Sequence, residues 1–111
     1  MDEAPKPVEL LLLRIIDRLN DMQNDYRLER FFAKTAIFSS VNDDKRLLVK
    51  KGWLMSEYIH PLNYYTITPL GKQVLQTYYN TDSIQHYIMD IEPTGFVLSI
   101  LHKIDEREKE Q

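Results

Sequence analysis

Only two segments of this chain have strand composition, Trp53 to Ile59 and Tyr64 to Thr68. The four residues between them, His60-Pro61-Leu62-Asn63, make a turn of hairpin length. The other apolar patterns have helical spacing, so the expected fold is mainly α with one small two-stranded antiparallel wing (α+β). The first helix is expected over Val8 to Met22, with Leu12, Ile15, Ile16 and Leu19 at helical spacing and Leu10, Leu11 and Leu13 adding apolar surface on other sides, so that it is buried on more than one face, in the core or against another chain. Residues 1–7 read as a short lead, and the cap-rich run 20–25 (NDMQND) should hold the break. A second helix is expected over Tyr26 to Ala36, with Leu28, Phe31, Phe32, Thr35 and Ala36 forming its stripe and Arg27, Arg30 and Lys34 mostly opposite.

Ser39 and Ser40 are good helix N-caps. A short third helix is expected from about Val41 to Lys51, with Asp43 and Asp44 in its first turn, Lys50 and Lys51 in its last, and Gly52 as its stop. Past the hairpin, Thr68 caps a helix with Pro69 at its first position, running through Val74, Leu75 and Tyr78. Residues Ser83 to Ile91 read as a further helix. Pro93 and Thr94 start a last one, with the stripe Phe96, Val97, Ile100, Leu101 and Ile104 and a solvated end.

The stretch Leu47 to Leu75, LLVKKGWLMSEYIHPLNYYTITPLGKQVL, carries the most specific information. It resembles the second half of a winged helix-turn-helix domain of the multiple-antibiotic-resistance-regulator or PadR-like kind. There a recognition helix ends in leucine, polar residues and glycine, and two apolar residues open the wing. A leucine-threonine pair closes the returning strand, and glycine plus a basic residue follow. Leu48-Val49-Lys50-Lys51-Gly52-Trp53-Leu54 fits the first part and Ile67-Thr68-Pro69-Leu70-Gly71-Lys72 the second. The motif covers about 47–75, and the layout about 8–80. The resemblance implies that Gly52 turns the chain into the wing, that Leu54, Tyr65 and Ile67 point inward, and that Gly71 lets the next helix approach the wing base. Two features depart from the pattern. The expected buried position one turn before Leu48 falls on Asp44, and the wing tip has no Arg or Lys.

Charge bears on function locally. The chain has 111 residues and a net charge of −3. Residues 25–51 hold Arg27, Arg30, Lys34, Lys45, Arg46, Lys50 and Lys51 against Asp25, Glu29, Asp43 and Asp44, a local excess of +3. A polybasic binder is excluded, but a DNA contact confined to this segment is not. The third helix would lie in the major groove with Ser40, Asn42, Lys45 and Arg46, flanked by Ser39, as base-reading candidates. Arg30, Lys34 and Lys50 would hold phosphates, and His60 and Asn63 would stand at the wing.

The length fits one domain, 1–111, with a core at 8–80 and a helical extension at 81–111. Surplus apolar helix surface suggests a homodimer through Leu11, Ile15, Phe96, Val97, Ile100, Leu101 and Ile104, reading two half-sites of double-stranded DNA. The expected function is thus a dimeric transcriptional regulator acting by operator occupancy. A protein-interaction module is the alternative, supported by the net negative charge, the uncharged wing tip and the triplet Leu47-Leu48-Val49. A small-molecule pocket between the core and the C-terminal helices is a third, without a ligand signature.

Other chemistry finds little support. With no cysteine, thiol nucleophiles and Cys-type zinc sites are excluded. His60, His86 and His102 match no local metal motif, and Gly52, Gly71 and Gly95 are too isolated for a phosphate loop. No cofactor and no enzyme activity are expected. Tyr58, Tyr64, Tyr65, Tyr78 and Tyr79 are expected to pack at the core edge. Leu10 to Leu13 is too short, and too acidic in its approach, for a signal peptide or membrane span, so a cytoplasmic location is expected.

Overall fold

A computed structural model describes residues 4–19 and 24–110. Among them the chain forms α1 (Pro7–Arg18), α2 (Asp25–Phe32), a 3-10 turn (Phe38–Ser40) and α3 (Val41–Lys50). The hairpin β1 (Leu54–Ile59) and β2 (Leu62–Ile67) follows, then α4 (Pro69–Tyr78), α5 (Thr81–Ile91) and α6 (Phe96–Glu110). It is mainly helical (65%) with a small two-stranded antiparallel sheet, consistent with a winged-helix-like layout.

The wing base is built as its sequence dictates. Gly52, at φ 79°, closes α3 with paired bonds, Trp53 N–H to Leu48 O at 3.0 Å and Gly52 N–H to Val49 O at 3.0 Å. The strands pair from Leu54 opposite Ile67 to Ile59 opposite Leu62. Alternation along them turns Leu54 and Tyr65 into the core, with Ile67 half-buried. Leu62 and Asn63 belong to β2 rather than to the turn, because they pair with Ile59 and Tyr58 and leave His60 and Pro61 alone at the tip. Thr68 accepts from Gly71 N–H at 3.1 Å and donates its hydroxyl to Gly52 O at 2.6 Å, which ties α4 to the exit of α3.

Several helix boundaries differ from expectation, among them that of α5, which starts at Thr81 rather than Ser83 because Asn80 caps it by accepting from Ser83 N–H. α1 ends at Arg18, since Leu19 is already extended; the expected end at Met22 lies outside the described residues. α2 ends at Phe32 rather than Ala36. The Thr35 hydroxyl donates to the Phe32 carbonyl oxygen at 2.8 Å, and Ala36 N–H donates to Ile91 O instead of within the helix. Ser40 precedes α3 but does not cap it; its hydroxyl donates to Ile37 O at 3.1 Å. α6 starts at Phe96 rather than at Pro93 or Thr94, because the buried Glu92 carboxylate accepts from Thr94 N–H at 2.9 Å and Val97 N–H at 3.0 Å and so caps it from outside.

Of the two settings expected for α1, core or interface, the fold uses the core. Leu10, Leu11, Leu12, Leu13, Ile15 and Ile16 are all buried, because α1 runs through the middle of the fold and meets α3, α4, α5 and β2. The apolar surface expected to serve a dimer is consumed inside one chain. Leu11 and Ile15 are fully buried, and Val97, Leu101 and Ile104 of α6 are buried in the same core. Ile100 is half-buried, so of the residues proposed for a dimer only Phe96 is exposed.

A Cβ at Gly71 would fall 2.2 Å from the Trp53 carbonyl oxygen and 2.8 Å from Ile67 Cγ1. Backbone cannot yield cheaply, so Gly71→Ala should cost about 3 kcal/mol in urea unfolding, at the upper end of overpacking losses. Gly52 has open space around it, so Gly52→Ala should cost only its left-handed strain, about 1 kcal/mol.

Candidate nucleic-acid interface

The orientation of α3 is set from its buried side. Val41, Lys45 and Leu48 point inward at i, i+4 and i+7. Lys45, rather than Asp44, fills the inward position one turn before Leu48. Its side chain is 2% exposed, and its ammonium lies 2.7 Å from Asp25 Oδ1 at the head of α2. The Tyr65 hydroxyl donates to the same oxygen at 2.7 Å, and the Asn63 amide donates to Oδ2 at 3.2 Å. Lys45 Nζ also lies 5.3 Å from the Tyr65 ring centre. One carboxylate therefore joins α2, α3 and β2, while Asn24 caps α2 at Arg27 N–H and bridges to Tyr64.

Burial alone would raise the Asp25 pKa; the hydrogen bonds from Lys45, Tyr65 and Asn63, with the Lys45 charge, outweigh it and hold the carboxyl below its ordinary range. Burial pushes the Tyr65 phenol up, and its hydrogen bond to Asp25 and that residue's charge push it further. A second pair fixes the far end of α3. Lys51 Nζ lies 2.6 Å from Glu9 Oε2, and Glu9, 1% exposed, also accepts from Lys6 N–H at 2.9 Å.

These anchors divide the expected site residues. Lys45 is corrected: locked against Asp25, it presents no ammonium to a groove. Asn63 is corrected too, because it turns inward to the same carboxylate. Ser40 is half-buried with its hydroxyl engaged, while Ser39 and Lys34 are exposed in the connection between α2 and α3. Outside the buried face, Asn42, Arg46 and Lys50 form an exposed strip at i, i+4 and i+8 that runs from the flank of that face to its far side. Asp43 joins that face, 3.8 Å from Arg46, in a solvent-exposed pair of little energetic weight. Leu47 and Val49 are half-buried, so no member of the apolar triplet is left exposed. At the wing tip His60 is exposed, its Nδ1 3.0 Å from the Tyr58 hydroxyl, with Tyr58 and Ile59 also facing solvent.

Arg30 stands apart from the strip. Its guanidinium donates to the Tyr26 hydroxyl at 3.3 Å and, with Arg27, Phe31 and Phe96, lines a shallow cleft between α2 and α6. Residues expected to serve DNA and a dimer thus meet in one place. The Asp25 cluster is the part that sequence reasoning missed. Its signal was present in the spacing of Asn63 and Tyr65, and in Lys45 standing four residues after Val41 and three before Leu48. Among the described residues, no three His, Cys, Asp or Glu side chains are grouped to hold a metal ion. None of the described helices is long and apolar enough to cross a membrane.

Asp25→Asn leaves the buried Lys45 ammonium without a counter-charge and should cost about 3 kcal/mol at neutral pH. Because the folded carboxyl titrates below its ordinary value of 3.8, the gap between wild type and variant should be constant well above that value. It should close as pH falls through the depressed folded pKa, where the wild type loses its charge as well. Urea titrations of both proteins across acidic pH measure this. Comparison with protein-family models, curated proteins and solved structures finds no match for this chain.

Proposed function

We propose that this chain is a winged-helix DNA-binding protein, similar in kind to the multiple-antibiotic-resistance-regulator and PadR-like regulators, that acts on transcription by occupying an operator. The observation that carries the reading is the Asn42–Arg46–Lys50 strip, solvent-exposed on a helix whose buried face is locked to α2 and the wing. Asn and Arg are the side chains that pair bidentately with adenine and guanine edges, and Lys50 suits a phosphate. α3 has ten residues, about 15 Å of helix, a length suited to the roughly 12 Å major groove. Lys34 and Ser39, in the connection leading into α3, supply further backbone contacts. Asp43 accepts from a cytosine amine in this pose and otherwise repels phosphate, which restricts the sequences that bind. Few phosphates are contacted, so affinity is modest and falls with salt.

Selection from a random-sequence duplex pool, followed by anisotropy at low and moderate salt, tests the reading. Arg46→Ala should weaken the selected duplex by about 1–3 kcal/mol and relax specificity at one position. Lys50→Ala should weaken all duplexes alike and reduce the salt slope by about 1. No enrichment of any duplex at low salt, or binding indifferent to both substitutions, overturns it.

A further inference from the structure

We infer that the cleft between α2 and the first turn of α6 docks an acidic peptide segment through one apolar anchor residue. The cleft holds about 260 Å³ and is lined by Arg27, Arg30, Phe31 and Phe96. An apolar cavity of about 150 Å³ takes a benzene ring, so there is room for one aromatic or branched side chain. The apolar wall is prepared for it. Phe31 is buried and forms the floor, its ring centre 5.9 Å from that of Phe96, which is itself 54% exposed. Tyr26, 52% exposed, holds the Arg30 guanidinium 5.7 Å above its ring and accepts its hydrogen bond.

The charge of this flank follows from helical geometry. At about 100° per residue, Arg27, Arg30 and Phe31 fall within about 100° of one another on α2, and Glu29, beside Tyr26, lies about 160° from both Arg27 and Phe31. Asp25 faces Lys45, and Glu92, the nearest acid before Phe96 in the chain, is turned in on the N–H groups of the α6 turn. Two guanidiniums therefore line the cleft beside Phe31 and Phe96 with no α2 carboxylate among its lining residues, in a protein of net charge −3. Arg with aromatic side chains is the composition of interface anchors, and a guanidinium takes a carboxylate in a two-pronged geometry.

That charge decides the occupant. A second copy docking by two-fold symmetry would set the guanidiniums against their own mates. A DNA duplex offers phosphates but no apolar side group to fill the cleft. An acidic segment with one apolar residue satisfies both halves.

The test uses the full chain. A displayed library of random peptides is selected on the wild type after depletion on Phe96→Ser. The consensus peptide, synthesised with a fluorophore, is titrated against wild type, Phe96→Ser and the double variant Arg27→Ala/Arg30→Ala at low and high salt. The expected result is a consensus rich in Asp and Glu around one aromatic or aliphatic residue. Binding should be at least tenfold weaker for both variants and weaker at high salt. The substituted side chains are surface ones, so the variants' thermal melts should match wild type; if Phe96→Ser does not fold, depletion and titration on the arginine pair decide. No peptides surviving depletion, a neutral or basic consensus, or tighter binding of a single-stranded oligonucleotide at the same residues overturns the inference. The reading of α3 is separate, since Phe96→Ser should leave duplex binding unchanged.

Discussion

The carboxylate of Asp25 is the point on which the arrangement of α2, α3 and the wing depends. It receives an ammonium from α3 and a phenol and an amide from β2, while sitting at the head of α2. Removing an ammonium from water costs several kcal/mol unless a counter-charge and hydrogen bonds replace the solvent. Only one rotation of α3 brings Lys45 to that carboxylate, and the same rotation carries Asn42, Arg46 and Lys50 outward. The ion pair holds that rotation together with Val41 and Leu48, buried on the same face. The Glu9–Lys51 pair holds the other end of α3 to α1, so the helix is fixed in direction as well as in rotation.

Features that depend on near neighbours were legible in the sequence. Gly52, Thr68-Pro69 and Gly71 each answer a local demand of the backbone, and each stands where its residue type predicts. The alternation that turns Leu54 and Tyr65 inward needed only the period of a strand. What failed were readings that depend on distant partners. Lys45 reads as a surface cation until an acid twenty residues earlier is known to face it. Asn63 reads as a turn residue until the register of the hairpin is known. α1 is apolar on several sides, a pattern that a central helix and an interface helix share; the other helices and β2 packed around it decide for the former.

The same pairing changes what the local charge means. Lys45 is buried against Asp25 and the exposed Lys51 is held by the buried Glu9, so the exposed cations of this segment outside those two pairs are Arg27, Arg30, Lys34, Arg46 and Lys50. They fall into two groups with different surroundings. Arg46 and Lys50 lie on an open helix face with an amide, a setting suited to base edges and phosphates. Arg27 and Arg30 border exposed aromatic rings, a setting suited to a carboxylate beside an apolar side chain. One basic segment thereby supplies two surfaces of different chemistry, and an acidic partner bound at the second need not cover the first.

The most direct measurement of the central claim is the pattern of backbone amide shifts when the isotope-labelled chain is titrated with its selected duplex. The account predicts shifts along Asn42 to Lys50 and at the wing tip around Tyr58 and His60, with Arg27, Arg30 and Phe96 unmoved. Shifts confined to Arg27, Arg30 and Phe96, with none along α3, would contradict it.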